Sequence, residues 1–154
     1  MLINHELIVF VGLPASGKTT VRSAEYYGVP IVSPDSIRFE IFKTEFDKDV
    51  EGMVWFAART MVKMLLIQGK SVVLDATNLT VSRRKEWIDL AKDNGADAVA
   101  VFLDTPFEEC VKRNEDRDRV VPMDVMERMR DTLEIPTEDE GFDRVIEINP
   151  LANE

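Results

Sequence analysis

Apolar residues recur along this chain in two alternating rhythms. Short unbroken runs at Glu6-Leu7-Ile8-Val9-Phe10-Val11, Ser71–Asp75, Ala98–Leu103 and Arg144–Ile148 predict buried strands. Val29-Pro30-Ile31-Val32-Ser33 predicts a further short strand, second in chain order, with Pro30 tolerable only at its start. Between these runs the pattern changes to helical spacing. Helices are expected from about Lys18 to Tyr27, stopped by Gly28, and over about Asp35–Lys43. A longer helix over Asp47–Gln68 carries a stripe at Val50, Met53, Val54, Ala57, Met61, Met64 and Leu65, closed by Gly69. Further helices are expected at about Thr80–Asp93, ending at Asn94-Gly95, at Pro106–Arg113 and at Pro122–Leu133. In the last of these, Met123, Met126 and Met129 predict one core-facing stripe. Strands alternating with helices predict an α/β fold: a parallel sheet covered on both faces, with polar chemistry at the carboxyl ends of the strands.

The bulk composition narrows the function classes. The chain has 154 residues, 45% of them hydrophobic, and is expected to form a single domain over 1–154. No apolar run has the length of a membrane span, and no basic-then-apolar leader opens the chain. The one cysteine, Cys110, cannot form an intramolecular disulfide; this fits a cytoplasmic protein, and helix packing is its expected role. The one histidine, His5, precedes the first strand and is expected at the surface, and no His/Cys cluster exists to hold zinc. A net charge of −10 argues against gripping a long polyanion along its length. A polyanion would have to be held at one end.

Specific chemistry begins after the first strand. Gly12-Leu13-Pro14-Ala15-Ser16-Gly17-Lys18-Thr19 is a complete G-x-x-x-x-G-K-[ST] phosphate-binding loop in strand–loop–helix context, with Thr20 next in the helix. Its glycines let backbone N–H groups turn inward around a β-phosphate, and the positive end of the following helix faces it. Lys18 is expected to reach the β/γ-phosphates of a nucleoside triphosphate, and the Thr19 hydroxyl to ligate Mg²⁺.

The other strand ends carry polar groups of matching kinds. Asp35, after the second strand, is placed to take a proton from an attacking hydroxyl, although its position also allows it to cap the helix. Arg38 lies one turn later on the same face and can grip an anionic group. Asp75 closes the third strand in Walker-B fashion, ordering Mg²⁺ or its water against Thr19. Thr77 and Asn78 extend that turn toward substrate or backbone. Arg113, Arg117 and Arg119 lie in a charged stretch between two helices, either a lid over the phosphates (about 113–122) or a solvated charge run. Asp49-Val50-Glu51-Gly52 mimics a GTPase D-x-x-G but follows no strand, and no N-K-x-D motif accompanies it.

Over nearly its whole length the chain resembles the kinase domain of 5′-polynucleotide kinases, within the P-loop kinases that include zeta toxins. The resemblance rests on the phosphate loop, Pro34-Asp35-Ser36-Ile37-Arg38, Asp75-Ala76-Thr77-Asn78, Leu103-Asp104-Thr105-Pro106, Val111-Lys112-Arg113-Asn114, Val120-Val121-Pro122 and the tail Ile135-Pro136-Thr137-Glu138 with Glu140-Gly141-Phe142. It implies a five-stranded sheet in the order 2-3-1-4-5 and ATP as phosphate donor. Asp35 would be the general base toward a 5′-hydroxyl of DNA or RNA, and Arg38 would hold the 3′-phosphate of the terminal nucleotide. Lys18 and Thr19 would serve the ATP phosphates and Mg²⁺, with Asp75 as acidic partner. Arg113 and Arg117 match the four-residue spacing of the family's lid arginines, and Arg119 is a further candidate. No D-x-D-G-T phosphatase motif occurs, so phosphatase or ligase steps of nucleic-acid repair would fall to separate proteins. A small alcohol acceptor such as a nucleoside or sugar is the competing reading, and a nucleotide-binding module without transferase activity a third.

Overall fold

A computed structural model describes residues 4–151. Five parallel strands form one sheet in the order β2-β3-β1-β4-β5: β1 Glu6–Val11, β2 Ile31–Val32, β3 Val72–Leu74, β4 Asp97–Leu103 and β5 Arg144–Ile148. This is the strand order that the resemblance implies. The central strand β1 is buried on both sides because Leu7, Ile8, Val9, Phe10 and Val11 alternate between two apolar layers. Leu7, Val9 and Val11 meet α2 (Pro34–Glu40), α3 (Glu51–Ile67) and α4 (Val81–Asp93), with Trp87 fully enclosed among them. Ile8 and Phe10 face the opposite layer, with Val21 and Tyr26 at α1 (Lys18–Glu25). A third cluster joins Leu13 to Cys110 of α5 (Phe107–Glu115) and Met126 of α6 (Met123–Thr132), fixing the phosphate loop to the last two helices.

Several elements differ from the sequence expectation in instructive ways. β2 shrinks to two residues because it is an edge strand; Pro30 supplies only its carbonyl, accepting from Val73 N at 2.9 Å. Ser33 leaves the strand to become the N-cap of α2, where its Oγ accepts from Ser36 N at 3.2 Å. Asp35 is therefore not the cap. It sits in the first turn with Pro34 before it. In α3 the face turned to the sheet is Val54, Ala58, Val62 and Leu66, whereas Met53, Met61 and Met64 of the expected stripe are exposed. The helix is apolar nearly all round, so periodicity alone does not fix its phase, and Val, Ala and Leu rather than Met face the sheet. Likewise in α6, Met126 is fully buried and Met129 packs beside it, but Met123 is 51% exposed. His5 is half-buried rather than at the surface. α5 extends through Glu115, so Arg113 belongs to a helix and the connection carrying Arg117 and Arg119 covers only 116–122. No helix among the described residues is long and apolar enough to cross a membrane.

Candidate active site

The chain turns from β1 into α1 through two left-handed residues, Ala15 (φ 61°) and Gly17 (φ 105°). Such a succession turns backbone N–H groups toward a common centre. Gly12 is required by contact rather than by φ: a Cβ there would stand 2.7 Å from Ser16 Oγ and 3.2 Å from Leu103 Cβ. The loop is braced from three sides. Gly12 N donates to Thr77 O (3.1 Å), Ser16 N to Leu13 O (3.2 Å), and Thr105 Oγ1 to Ser16 O (2.7 Å). Ser16 Oγ is buried with no hydrogen-bond partner. An unpaired hydroxyl under a loop of inward-turned amides is the kind of orphan that a bound phosphate satisfies.

Lys18 Nζ folds back over this loop, donating to Gly12 O at 3.0 Å and Leu13 O at 2.7 Å. Burial lowers its pKa from 10.5 to about 8; the nearby carboxylates of Asp75 and Asp35 oppose that shift, and Arg117 adds to it. Lys18, Asp35, Asp75 and Arg117 thus share one electrostatic neighbourhood, drawn from four separate segments. Arg113 also reaches the loop: its Nη1 lies 3.6 Å from where a Cβ on Gly17 would stand, while its Nε is held by Glu109 at 2.9 Å. Arg119 goes elsewhere, stacking its guanidinium over the Phe39 ring at 3.8 Å. The connection that carries Arg117 and Arg119 is tied down by Asn114, which both donates to Val121 O (2.8 Å) and accepts from Val121 N (3.0 Å).

The residues suggested for a metal fit Mg²⁺ by their chemistry. Mg²⁺ prefers oxygen donors and takes only one or two from protein, leaving the rest to phosphates and water. The Thr19 hydroxyl and the Asp75 carboxylate are such donors, and no cluster of three or more His, Cys, Asp or Glu among the described residues offers an all-protein cage. Asp75 has a partner that sequence spacing does not reveal: Arg22 of α1, Nη1 to Oδ2 at 2.6 Å. That pair leaves the other carboxylate oxygen for a metal-bound water.

Asp35 keeps its side chain 67% exposed while Arg38 Nη1 contacts its Oδ1 at 2.6 Å. The rest of the Arg38 guanidinium is taken by Glu51: Nε donates to Oε2 at 3.0 Å and Nη2 to Oε1. Trp55 Nε1 also donates to Glu51 Oε1, at 2.9 Å. Glu51 is consequently held below the usual carboxylate range, first by its hydrogen bond to Arg38. Sequence reasoning missed Glu51, which opens the helix that follows α2 and returns an acid to α2's arginine. Asn78, in left-handed backbone (φ 46°), donates to Phe10 O at 2.8 Å and so docks the β3–α4 turn under the sheet. Thr77 carries its backbone to Gly12, and Thr77 and Asn78 both line a cavity at the start of α4.

Known proteins resemble this chain to different extents. The chain is 27% identical over 139 residues to L-seryl-tRNA(Sec) kinase of Methanococcus maripaludis, covering 84% of this chain and 53% of that protein. It is 26% identical over 151 residues to the bifunctional polynucleotide phosphatase/kinase of Schizosaccharomyces pombe, covering 94% of this chain and 34% of that protein. The chain thus spans about half and about a third of these relatives' lengths. Among solved structures, a chain of the Pnkp1/Rnl/Hen1 RNA repair complex superposes with a TM-score of 0.75 at 24% identity, covering 86% of this chain and 45% of that one. A family model described as AAA domain matches residues 7–136, and with its phosphate loop seated between β1 and α1 the chain belongs to that family of P-loop proteins.

Proposed function

We propose that this chain is an ATP-dependent kinase that transfers the γ-phosphate to a hydroxyl, and that the acceptor is the 5′-hydroxyl end of DNA or RNA. The observation that carries the transfer is a phosphate loop over which Lys18 folds, with the exposed carboxylate of Asp35 among the charges that act on it. A carboxylate there accepts the proton of the attacking hydroxyl and aligns it for in-line displacement. Arg38, fixed by Glu51, holds Asp35 in that position. Lys18 leaves the carbonyls of Gly12 and Leu13 to meet the β- and γ-phosphates, and Arg113 and Arg117 offset the negative charge that spreads during transfer. Thr19 and, through water, Asp75 would hold Mg²⁺, which would supply charge neutralisation at the nucleotide's phosphates.

Two relatives named as kinases of a tRNA-borne group and of polynucleotides support a nucleic-acid acceptor. The net charge of −10 is compatible with it only if the strand is held at its end. A small phosphorylated or neutral alcohol is the second reading, favoured by the size of the cavity beside Thr77 and Asn78, about 230 Å³. Transfer of labelled γ-phosphate from ATP/Mg²⁺ decides the acceptor. Label on a 5′-hydroxyl oligonucleotide and none on its 5′-phosphorylated counterpart is the expected result. Label on nucleosides or sugars with none on the oligonucleotide would overturn the polynucleotide assignment.

A further inference from the structure

The cavity of about 230 Å³ lies where the β3–α4 turn, the start of α4, Trp55 of α3 and Thr132 of α6 converge. Asn78, which lines it, is 2% exposed, donates its Nδ2 to Phe10 O and leaves its enclosed Oδ1 without a hydrogen-bond partner. The cavity's wall holds a cation without one. Arg83 lines this cavity and the adjoining open groove with Ser82 and Glu86, and among the described residues its guanidinium forms no ion pair. It lies instead over the Trp55 ring, 4.5 Å from the centroid. The backbone at the head of α4 adds free donors of the same sign, since only Arg83 N and Arg84 N are capped, by Thr80 Oγ1 and Thr80 O.

The contrast with Arg38 sharpens the assignment. Arg38 faces two carboxylates, Asp35 and Glu51, so that group already carries a net negative charge. An incoming anion gains less there than at Arg83, whose guanidinium has no carboxylate in ion-pair contact among the described residues and meets Glu51 only at longer range. Trp55 connects the two: Arg38 lies 5.8 Å and Arg83 4.5 Å from its ring. The cavity, with a cation at its rim and an aromatic ring in its wall, thus shares Trp55 with the Arg38–Asp35 pair. We propose that this cavity seats the acceptor and that Arg83, supported on Trp55, binds a phosphate carried by that acceptor, selecting phosphate-bearing alcohols over neutral ones. The inference rests on the kinase reading for the identity of its ligand as an acceptor. The binding site itself can be tested without turnover.

The test is binding, read by calorimetry and by tryptophan fluorescence, of thymidine 3′-monophosphate, glucose 6-phosphate and a 5′-hydroxyl oligonucleotide, each against thymidine as the phosphate-free control. Phosphate-bearing probes should bind wild type more tightly than thymidine, and the probe bound best identifies the source of the phosphate. Arg83→Ala should weaken that best probe about 10- to 100-fold, the loss typical of a charge-assisted hydrogen bond, and Arg83→Lys should recover part of it. Arg83 is exposed, so both variants are expected to fold, which melting curves would verify. If no phosphate-bearing probe binds above thymidine, or if Arg83→Ala binds it as wild type does, the proposal is overturned. Phosphoryl transfer by wild type, measured separately, stands or falls independently: binding without transfer would contradict the kinase reading and leave this site intact.

Discussion

Removing the carboxylate of Glu140 should destabilise the protein more than any other single surface-proximal change. Arg84 is fully buried, its side chain 0% exposed, and Glu140 only 6%. Glu140 accepts from Arg84 Nε at 2.7 Å and Nη2 at 2.9 Å, and its Oε2 also accepts from Thr137 N at 2.9 Å. The third Arg84 contact, Nη1 to Asn78 O at 2.9 Å, is all that remains after Glu140→Ala. A buried guanidinium left without its counter-charge costs about 3–5 kcal/mol. For a chain of this size that corresponds to a fall in Tm of roughly 6–20 °C. Denaturant melts of wild type, Glu140→Ala, Glu140→Leu, Arg84→Met and the double variant Arg84→Met/Glu140→Leu form the assay. The double variant should recover most of the loss, because an apolar pair of similar volume avoids the desolvation of both ions. A fall below about 1 kcal/mol for Glu140→Ala, or strictly additive single changes, would refute the reasoning. Because Arg84 also holds the Asn78 carbonyl, the same substitution should loosen the turn that lines the cavity.

Two further outcomes follow from the geometry. Gly12→Ala places a Cβ 2.7 Å from Ser16 Oγ and so forces the loop to shift; nucleotide affinity measured by calorimetry should drop at least about tenfold, and an unchanged affinity would show that the loop has slack there. The Arg38–Glu51 pair gives a pH signature, since Glu51 is lowered below its ordinary 4.5 by Arg38. A carboxylate lowered on folding binds fewer protons in the native than in the unfolded state, so its contribution is present above the ordinary value and lost as pH falls through the lowered one. Stability of Glu51→Gln should accordingly fall less steeply than wild type as pH drops below 4.5, and parallel acid limbs would contradict the pairing.

Much of this molecule is legible in its sequence for local reasons. The phosphate loop declares itself because glycine spacing, lysine and threonine are fixed within eight consecutive positions. β1 and β4 declare themselves because strands buried on both faces need unbroken apolar runs. Phase is harder than type: α3 is plainly helical and buries Val54 as expected, yet the rest of its buried face is Ala58, Val62 and Leu66, with Met53 and Met61 left exposed. Pairings across the sequence are not legible at all. Arg22 meets Asp75 across 53 positions, Arg84 meets Glu140 across 56, and Arg38 meets Glu51 only because the chain folds back after α2. Each pair joins residues that have no periodic relation, so only tertiary packing brings them together. Glu51 lay inside the D-x-x-G look-alike, and its partner in space explains its presence better than that motif does.

With Asp35 acting on the acceptor and Lys18 with its loop on the nucleotide, Asp35→Asn separates the two. ATP affinity by calorimetry and γ-phosphate transfer by label should be measured on the same preparation of wild type and variant. ATP affinity should stay within about threefold of wild type and transfer should slow about 10²- to 10⁴-fold, the contribution of a general base. Transfer at the wild-type rate with Asn at position 35 would contradict that role of Asp35.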